Sequence, residues 1–468
     1  MLQKILTKYW LVVNIGITAL AVWFVLLVSL KATSLILLLW WSLILAELFV
    51  LIPAVHKGEN LSDARRRTWK TLSADAFLYF GLSVSLYLFV QWLNGGCTPV
   101  YDVNAGVWNY SQPDVKWLPY SIDQVDSLRM FNIMTAFVVI GLCIRHAAGK
   151  RSKRALLQGL SVLSGFFAVF AVWQGMAGNQ TYLGFMLKSE SSSMGSFFGF
   201  WLIMGIGSYA DSLACRQRRT EIIYVMGILC NFAGMLFFTQ LPAMIMFTLV
   251  AILVLIYTGL YLSAHVSRPF LIKFYMLTFL IIAGGLLVLF VVFPQSALTD
   301  KIGLTSDISG SWQALVESKN IRSETALQIW KEHKWFGTGA EGFQHYAGSF
   351  LNDKGWSLLK VNKGLVYNDS LQVLCEFGLL GSAIFSALLF TMLVPIFYRA
   401  HIAWSKGTHS SDAGRRYLLR VSPFFVTGVL AISCCFAESF VSSPYRFPAL
   451  FVSFFIVMLS IPAFLPSK

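Results

Sequence analysis

Residues 366–381 read VYNDSLQVLCEFGLLG and mark the point where the longest polar stretch of the chain ends and an apolar helix begins. Residues 294–364, before it, carry many polar and charged side chains, whereas residues 370–398 form a run that is almost entirely apolar. A run of that length can cross the hydrocarbon core of a bilayer, which is about 30 Å thick. The stretch therefore predicts a membrane-spanning helix directly after a long polar loop.

The composition of the whole chain agrees with this local pattern. Hydrophobic residues make up 57% of the 468 positions and charged residues only 12%, against about a quarter in soluble domains. Twelve apolar runs of suitable length are found at roughly 10–30, 33–54, 73–93, 129–147, 155–175, 194–213, 221–239, 241–262, 272–294, 370–398, 421–440 and 448–466. We predict an all-α polytopic membrane protein with about twelve transmembrane helices. Its parts would be residues 1–293 with helices 1–9, one large loop at 294–366, and residues 367–468 with helices 10–12.

The net charge of +14 reflects topology and not nucleic-acid binding. Arginine and lysine cluster in alternate loops, as at Arg65–Arg67 and Arg151–Arg154, while the intervening short loops hold few. Basic loops stay in the cytoplasm, so both termini are predicted inside and the loop at 294–366 outside. The basic loops would also attract anionic lipid headgroups.

The large loop carries a helical pattern. Ser323 is predicted to cap a helix whose apolar positions Ala326, Ile329, Trp330 and His333 follow a three-to-four spacing. This would put Arg322 at the positive end of the helix dipole. Residues 337–342, GTGAEG, fit a dinucleotide fingerprint by letter, but they follow a helix instead of a strand, so we interpret them as a turn.

Two stretches carry a family resemblance. Tyr367-Asn368, nine residues and Gly378-Leu379-Leu380-Gly381 resemble the His-Asn, nine residues, Gly-x-x-Gly signature of the O-antigen polymerase/ligase superfamily. Residues 322–343, RSETALQIWKEHKWFGTGAEGF, resemble the Arg…Trp helix and Gly-x-Gly turn of the same family. The resemblance implies a bacterial inner-membrane enzyme that transfers a glycan from an undecaprenyl-pyrophosphate-linked donor to a hydroxyl of a glycan or lipid acceptor. The transfer would occur on the periplasmic side, with no metal and no other cofactor.

The resemblance and the chemistry together name the candidate site residues. Arg322 would bind pyrophosphate, because a guanidinium presents a planar fork of donors to phosphate oxygens. Tyr367 stands where the family has a histidine, and with an ordinary pKa near ~10 it donates a hydrogen bond better than it accepts a proton. Asn368 would line the acceptor side next to Tyr367. A tyrosine in the aromatic belt at a helix start is the structural alternative for Tyr367.

Other positions could supplement or replace these groups. His333 and His345 are the only histidines predicted outside, and either could supply a substrate contact or a displaced base. Arginines that the family carries near residues 191–197 and 239–242 are absent here, although Lys188 is close to the first stretch and could bind phosphate as a point charge. The aspartates of residues 94–127 show no metal-ligand spacing, so no metal site is predicted.

These departures leave two alternatives open. A homologue that has lost catalysis could bind a lipid-linked glycan or act as a scaffold in envelope assembly. A flippase or secondary transporter is a third hypothesis, against which the large external loop and the lack of two equivalent halves both argue.

Overall fold

The structure is a computed structural model that describes residues 13, 15–22, 35–53, 59–96, 99–102, 107–110, 113, 115–176, 191–214, 221–239, 241–265, 268–269, 271–276, 278–279, 283, 308–350, 365–407, 421–440 and 442–465. Within this part of the chain the protein is almost entirely helical, as the composition predicts. The one sheet among these residues is a short antiparallel hairpin that pairs Pro99 with Tyr110 and Asp102 with Val107.

The elements are numbered in chain order. The helices are α1 (Leu35–Leu51), α2 (Leu61–Ser73), α3 (Ala76–Leu93), α4 (Gln124–Leu142), α5 (Lys150–Met176), α6 (Ser191–Ala214), α7 (Glu221–Phe238), α8 (Leu241–His265), α9 (Ile308–Glu332), α10 (Phe343–Phe350), α11 (Asp369–Gly407), α12 (Pro423–Glu438) and α13 (Pro448–Ser460). The strands are β1 (Pro99–Asp102) and β2 (Val107–Tyr110). A π-helical turn, Cys143–Ala147, extends α4, and 3₁₀ turns lie at Pro444–Arg446 and Ile461–Phe464.

Seven helices of the described part are long and apolar enough to cross a membrane: α3, α4 with its π-helical turn, α5, α6, α7, α8 and α11. Shorter apolar helices occupy Leu39–Leu51, Pro423–Glu438 and Pro448–Phe464, where three further spans are predicted. The predicted spans at 10–30 and 272–294 fall largely outside the described residues. The class of the fold is thus confirmed, and the number of twelve spans stays a prediction.

The long helices keep large apolar side chains on their surfaces. On α11, Phe390 is 62% exposed and Phe397 is 67% exposed, and on α8 Leu249, Leu253 and Ile256 are exposed to a similar degree. Soluble proteins seldom leave continuous apolar surface of this kind in water. These apolar helix faces are suited to contact with lipid chains.

The described helices group into two compact units. One comprises Met1–Ala148, Trp312–Met392 and Ser439–Ser443, and the other comprises Gly149–Ser311, Leu393–Glu438 and Pro444–Lys468. In the second unit α6 is the core helix, packed against α5, α7, α8 and α12. In its apolar 18-residue stretch 94% of the residues are buried, against 28% in the corresponding stretch of α8. Small residues permit this burial, since a Cβ added at Gly207 would lie 2.2 Å from Thr427 Oγ1.

In the first unit, α4 packs against α1 and α3. The described part of the large loop folds over the start of α11 and forms a small apolar core with it. Its buried members come from α9, α10 and α11 and from the residues just before α11: Ala326, Ile329, Phe343, Ala347, Val366 and Cys375. The described part of the loop is therefore a packed cap and not a linker.

An ion cluster joins the start of α3 to the end of α4 in the first unit. Asp75 caps α3 by accepting a hydrogen bond from Phe77 N at 3.0 Å. Its other carboxylate oxygen lies 2.9 Å from Arg145 Nε and 2.6 Å from His146 Nε2. Burial alone would raise the pKa of Asp75, but the His146 hydrogen bond, the charge of Arg145 and the Phe77 amide outweigh it, so the pKa lies below the ordinary 3.8.

The Asp75→Asn variant is expected to lose roughly 3 kcal/mol of unfolding free energy, because it leaves the partly buried Arg145 without its carboxylate. Because the pKa is lower in the folded state, the wild type should keep this contribution above the unfolded-state pKa and lose it as the pH falls through the folded pKa. Thermal unfolding of the purified protein at neutral and acidic pH measures both effects. Equal melting temperatures for the two proteins at neutral pH would contradict the role given to Asp75.

Candidate functional site: the loop cap and the broken helix α11

Helix α11 is interrupted at Gly378, where φ is 63° and ψ is −168°. This is a backbone conformation that essentially only glycine adopts. The break deprives neighbouring peptide groups of their helical partners, and residues 334–339, here called the docking turn, supply new ones. The replacement hydrogen bonds are Thr338 N to Cys375 O (3.2 Å), Gly339 N to Glu376 O (2.8 Å), Leu379 N to Lys334 O (2.9 Å) and Leu380 N to Trp335 O (3.1 Å).

The two backbones meet so closely that each needs a glycine. A Cβ on Gly378 would lie 2.4 Å from Trp335 O, and a Cβ on Gly337 would lie 2.4 Å from Glu376 O. Tyr87 of α3 joins the same junction, since its hydroxyl lies 2.7 Å from Phe377 O and 3.0 Å from Phe336 O. The Gly-x-Gly turn and the Gly-x-x-Gly segment are thus two halves of one backbone junction.

Arg322 lies in the interior of α9, because that helix begins at Ile308 and not at Ser323. The predicted Ser323 cap and the predicted dipole contribution at Arg322 are therefore wrong. The side chain of Arg322 is only 2% exposed, and its Nη1 donates a hydrogen bond to Leu365 O at 2.7 Å. Its Cζ also lies 5.0 Å from the centre of the Tyr367 ring.

Lys319, which the sequence analysis did not single out, shares this ring with Arg322. Its Nζ lies 6.0 Å from the centre of the Tyr367 ring. Lys319 precedes Arg322 by three residues, so both side chains project from the same face of α9. That spacing is the signal from which Lys319 could have been found. The cation pair, Lys319 and Arg322, is the main positive feature of the site.

Burial shapes the protonation of this group. It lowers the pKa of Arg322, which the neighbouring Tyr367 partly offsets, and it lowers the pKa of Lys319. Burial also raises the pKa of Tyr367 above 10, against the opposing influence of Arg322. Tyr367 is therefore a neutral phenol near pH 7, which donates a hydrogen bond and does not act as a base.

The backbone at Tyr367 and Asn368 forms the entry to α11. Tyr367 has φ of +59°, a left-handed conformation that is uncommon for an aromatic residue. Asn368 caps the helix, since its Oδ1 accepts a hydrogen bond from Leu371 N at 3.1 Å and its carbonyl accepts one from Gln372 N at 3.0 Å. The predicted substrate-binding residue thus has a clear structural task.

The Asn368→Ala variant is expected to lower the unfolding free energy by about 1 kcal/mol, because alanine cannot cap the helix. Asn368→Asp should remain near wild type, because a carboxylate accepts the same hydrogen bond. Thermal unfolding of both proteins in detergent provides the comparison. A destabilised aspartate variant together with a stable alanine variant would contradict the capping role.

His333 lies away from the cation pair. His333 lies eleven residues after Arg322, which separates the two by roughly 16 Å along the helix. Its Nδ1 is hydrogen-bonded to the Tyr120 hydroxyl at 2.5 Å, and its ring centre lies 4.9 Å from that of Tyr346. Burial lowers its pKa, so the imidazole is neutral at pH 7.

His345 on α10 faces two carboxylates, those of Asp123 and Asp126 at the start of α4. Lys188 lies outside the described residues. The structure therefore brings together Arg322, Tyr367 and Asn368 with the unpredicted Lys319. His333 lies farther along α9, and His345 lies with the two aspartates at the start of α4.

No known protein-family model matches the chain. A search of curated proteins likewise gives no match. The family resemblance of residues 322–343 and 366–381 therefore stays a prediction.

Proposed function

We propose that this chain is a membrane-embedded glycan transferase of the O-antigen ligase or polymerase kind. It takes a glycan from undecaprenyl pyrophosphate and passes it to a hydroxyl of a glycan or lipid acceptor. The reaction takes place on the periplasmic side of a bacterial inner membrane, beneath the loop at 294–366. The proposed topology has twelve spans with both termini in the cytoplasm.

The observation that carries the proposal is the cation pair on the Tyr367 ring. The two cations lie on one face of α9 and contact the same ring, so they bring positive charge to one place. An anion that carries more than one negative charge matches them. A lipid pyrophosphate supplies such an anion, and its negative charge grows as the bond to the sugar breaks.

The roles of the three side chains follow from their exposure. Arg322 is enclosed and bound to Leu365 O, so it contributes a fixed positive charge and holds the entry to α11. Lys319 is only half-buried, so it is the cation that the pyrophosphate meets first. Fixed charges aimed at a leaving group accelerate its departure, because they need no reorganisation during the reaction. Tyr367, being neutral, orients the donor or the acceptor by hydrogen bonding.

The second candidate function is binding of a lipid-linked glycan without transfer, as a receptor or a scaffold in envelope assembly. The permanent positive charge of Arg322 and the raised pKa of Tyr367 favour it, because neither side chain can accept a proton at neutral pH. If the protein is a transferase, the general base that accepts the proton of the acceptor hydroxyl must come from the substrate or from another part of the site.

Mass spectrometry of lipid-linked glycans in a deletion strain tests both functions. Undecaprenyl-linked glycan is expected to accumulate on deletion, to clear with the wild-type protein, and to persist with Lys319→Ala or Arg322→Ala at equal expression. An unchanged lipid-linked pool on deletion, or full clearance by both variants, would overturn the transferase proposal. The binding function would then take its place.

A further inference from the structure

Three side chains of types that can bind a metal ion come together at the start of α4, two from that segment and one from a distant part of the sequence. Asp123 and Asp126 lie in the N-cap and first turn of that helix, and His345 lies on α10 of the loop cap. One ligand atom of each side chain lies within 4.8 Å of the others, and all three residues are half-buried. This is a mixed set of two carboxylates and one imidazole, separate from the cation pair on Tyr367.

The backbone around the cluster holds the ligands in place. One oxygen of Asp123 accepts hydrogen bonds from Val125 N at 2.7 Å and Asp126 N at 3.4 Å, which orients the carboxylate. Gly339, with φ of +93°, approaches Ser121 so closely that an added Cβ would lie 2.5 Å from Ser121 Cα. This contact brings the residues that lead into α10 against the segment that leads into α4. The meeting of His345 with the aspartates is therefore a consequence of how the cap packs.

We propose that Asp123, Asp126 and His345 bind a divalent transition-metal ion of the Zn²⁺ type. Carboxylate oxygen together with imidazole nitrogen is a donor set that suits Zn²⁺, whereas Mg²⁺ and Ca²⁺ prefer oxygen alone. A tetrahedral ion with bonds of about 2.1 Å holds its ligands about 3.4 Å apart, which small side-chain movements reach from the observed spacing. The fourth position is left for water.

The ion has a structural consequence for the cap. It ties α10 to the start of α4, and so adds a metal-dependent link between the large loop and the membrane helices of the first unit. It also screens the two carboxylates from each other. The inference is independent of the glycan-transfer proposal, because no residue of the cation pair takes part in it.

Zn²⁺ binding to the purified full-length protein tests the site. The protein in detergent is stripped with a chelator, titrated with Zn²⁺ in equilibrium dialysis, and the bound metal is counted by mass spectrometry. The wild type is expected to bind one more equivalent than Asp126→Asn or His345→Gln, or to bind that ion at least about 100-fold more tightly. Zn²⁺ should also raise the melting temperature of the wild type and leave that of the two variants unchanged, since a ligand stabilises the state that binds it.

Matched controls separate this site from other histidines, thiols and carboxylates. Asp63→Asn and His265→Gln alter exposed residues of the same types elsewhere, and they should bind the same amount of Zn²⁺ as the wild type. The visible spectrum of bound Co²⁺ gives a second readout, with a band that both site variants lose. Equal Zn²⁺ stoichiometry, affinity and thermal shift in the wild type, Asp126→Asn and His345→Gln would overturn the proposal.

Discussion

The Gly378→Ala variant is expected to lose at least about 3 kcal/mol of unfolding free energy and to fail to accumulate as a monodisperse protein. Holding a residue with a side chain in a glycine-only conformation costs about 1–3 kcal/mol. The new Cβ would also lie 2.4 Å from Trp335 O and 2.5 Å from Phe336 N, and backbone atoms cannot move aside as a flexible side chain can. Relief of this clash would separate the docking turn from α11 and break the four hydrogen bonds between them.

Gly159→Ala is the matched control for this prediction. Gly159 lies inside α5, and a Cβ built there meets no atom within 4 Å. That substitution should be neutral or stabilising by roughly 0.5–1 kcal/mol, because alanine favours a helix over glycine. Expression level, size-exclusion profile and melting temperature compare the two variants. A Gly378→Ala protein as stable as Gly159→Ala would show that the junction between the docking turn and α11 is not formed.

Replacing either member of the cation pair by alanine is expected to reduce glycan transfer to a similar degree, whereas the two variants should differ in stability. Arg322→Ala leaves Leu365 O without its charged donor and opens a gap beside Tyr367, which should cost about 1.5–3 kcal/mol of unfolding free energy. Lys319→Ala truncates a half-buried side chain and should change stability by less than about 1 kcal/mol. Each variant should reduce glycan transfer by about 100-fold or more, the usual effect of removing a fixed group that stabilises developing charge.

Lys331→Ala provides the control, because Lys331 is an exposed lysine on the same helix. Its transfer rate and melting temperature should match those of the wild type. The decisive comparison is between Lys319→Ala and Lys331→Ala at equal amounts of folded protein. If the two variants transfer glycan equally well, Lys319 does not contact the donor, and the cation pair is a structural feature of the cap.

The helical class of the protein could be predicted from composition, since apolar runs of membrane length have few alternatives. The start of α9 could not be predicted from the sequence. Ser323 followed by the apolar positions Ala326 and Ile329 looks like a helix start, yet the helix already begins at Ile308. A local capping pattern does not exclude further helical turns before it.

The break in α11 could not be predicted from the sequence pattern either. Gly378 and Gly381 match the small-residue spacing that lets membrane helices pack closely, and Gly381 does lie against the ring of Tyr87. At Gly378, however, the helix is interrupted, because the docking turn some forty residues upstream replaces its hydrogen-bond partners. The interruption depends on two segments together, so neither segment predicts it alone.

The candidate site could be predicted in part, from the two motifs that resemble a family signature. Arg322, Tyr367 and Asn368 were named from the two motifs, and the structure places them together at the start of α11. Lys319 was missed because it lies three residues before the first motif, which begins at Arg322. The proximity of Asp123, Asp126 and His345 was missed because the packing of α10 creates it. In the sequence, His345 is more than two hundred residues from the aspartates.

Transfer by the purified protein is the most direct test of the central claim. The full chain is reconstituted in lipid with an undecaprenyl-pyrophosphate-linked glycan and a glycan acceptor, and the release of undecaprenyl pyrophosphate is followed together with growth of the acceptor. We expect release that depends on the wild-type protein, falls by about 100-fold in Lys319→Ala, and is unchanged in Lys331→Ala. Folded wild-type protein that binds the donor and releases no undecaprenyl pyrophosphate would contradict the central claim.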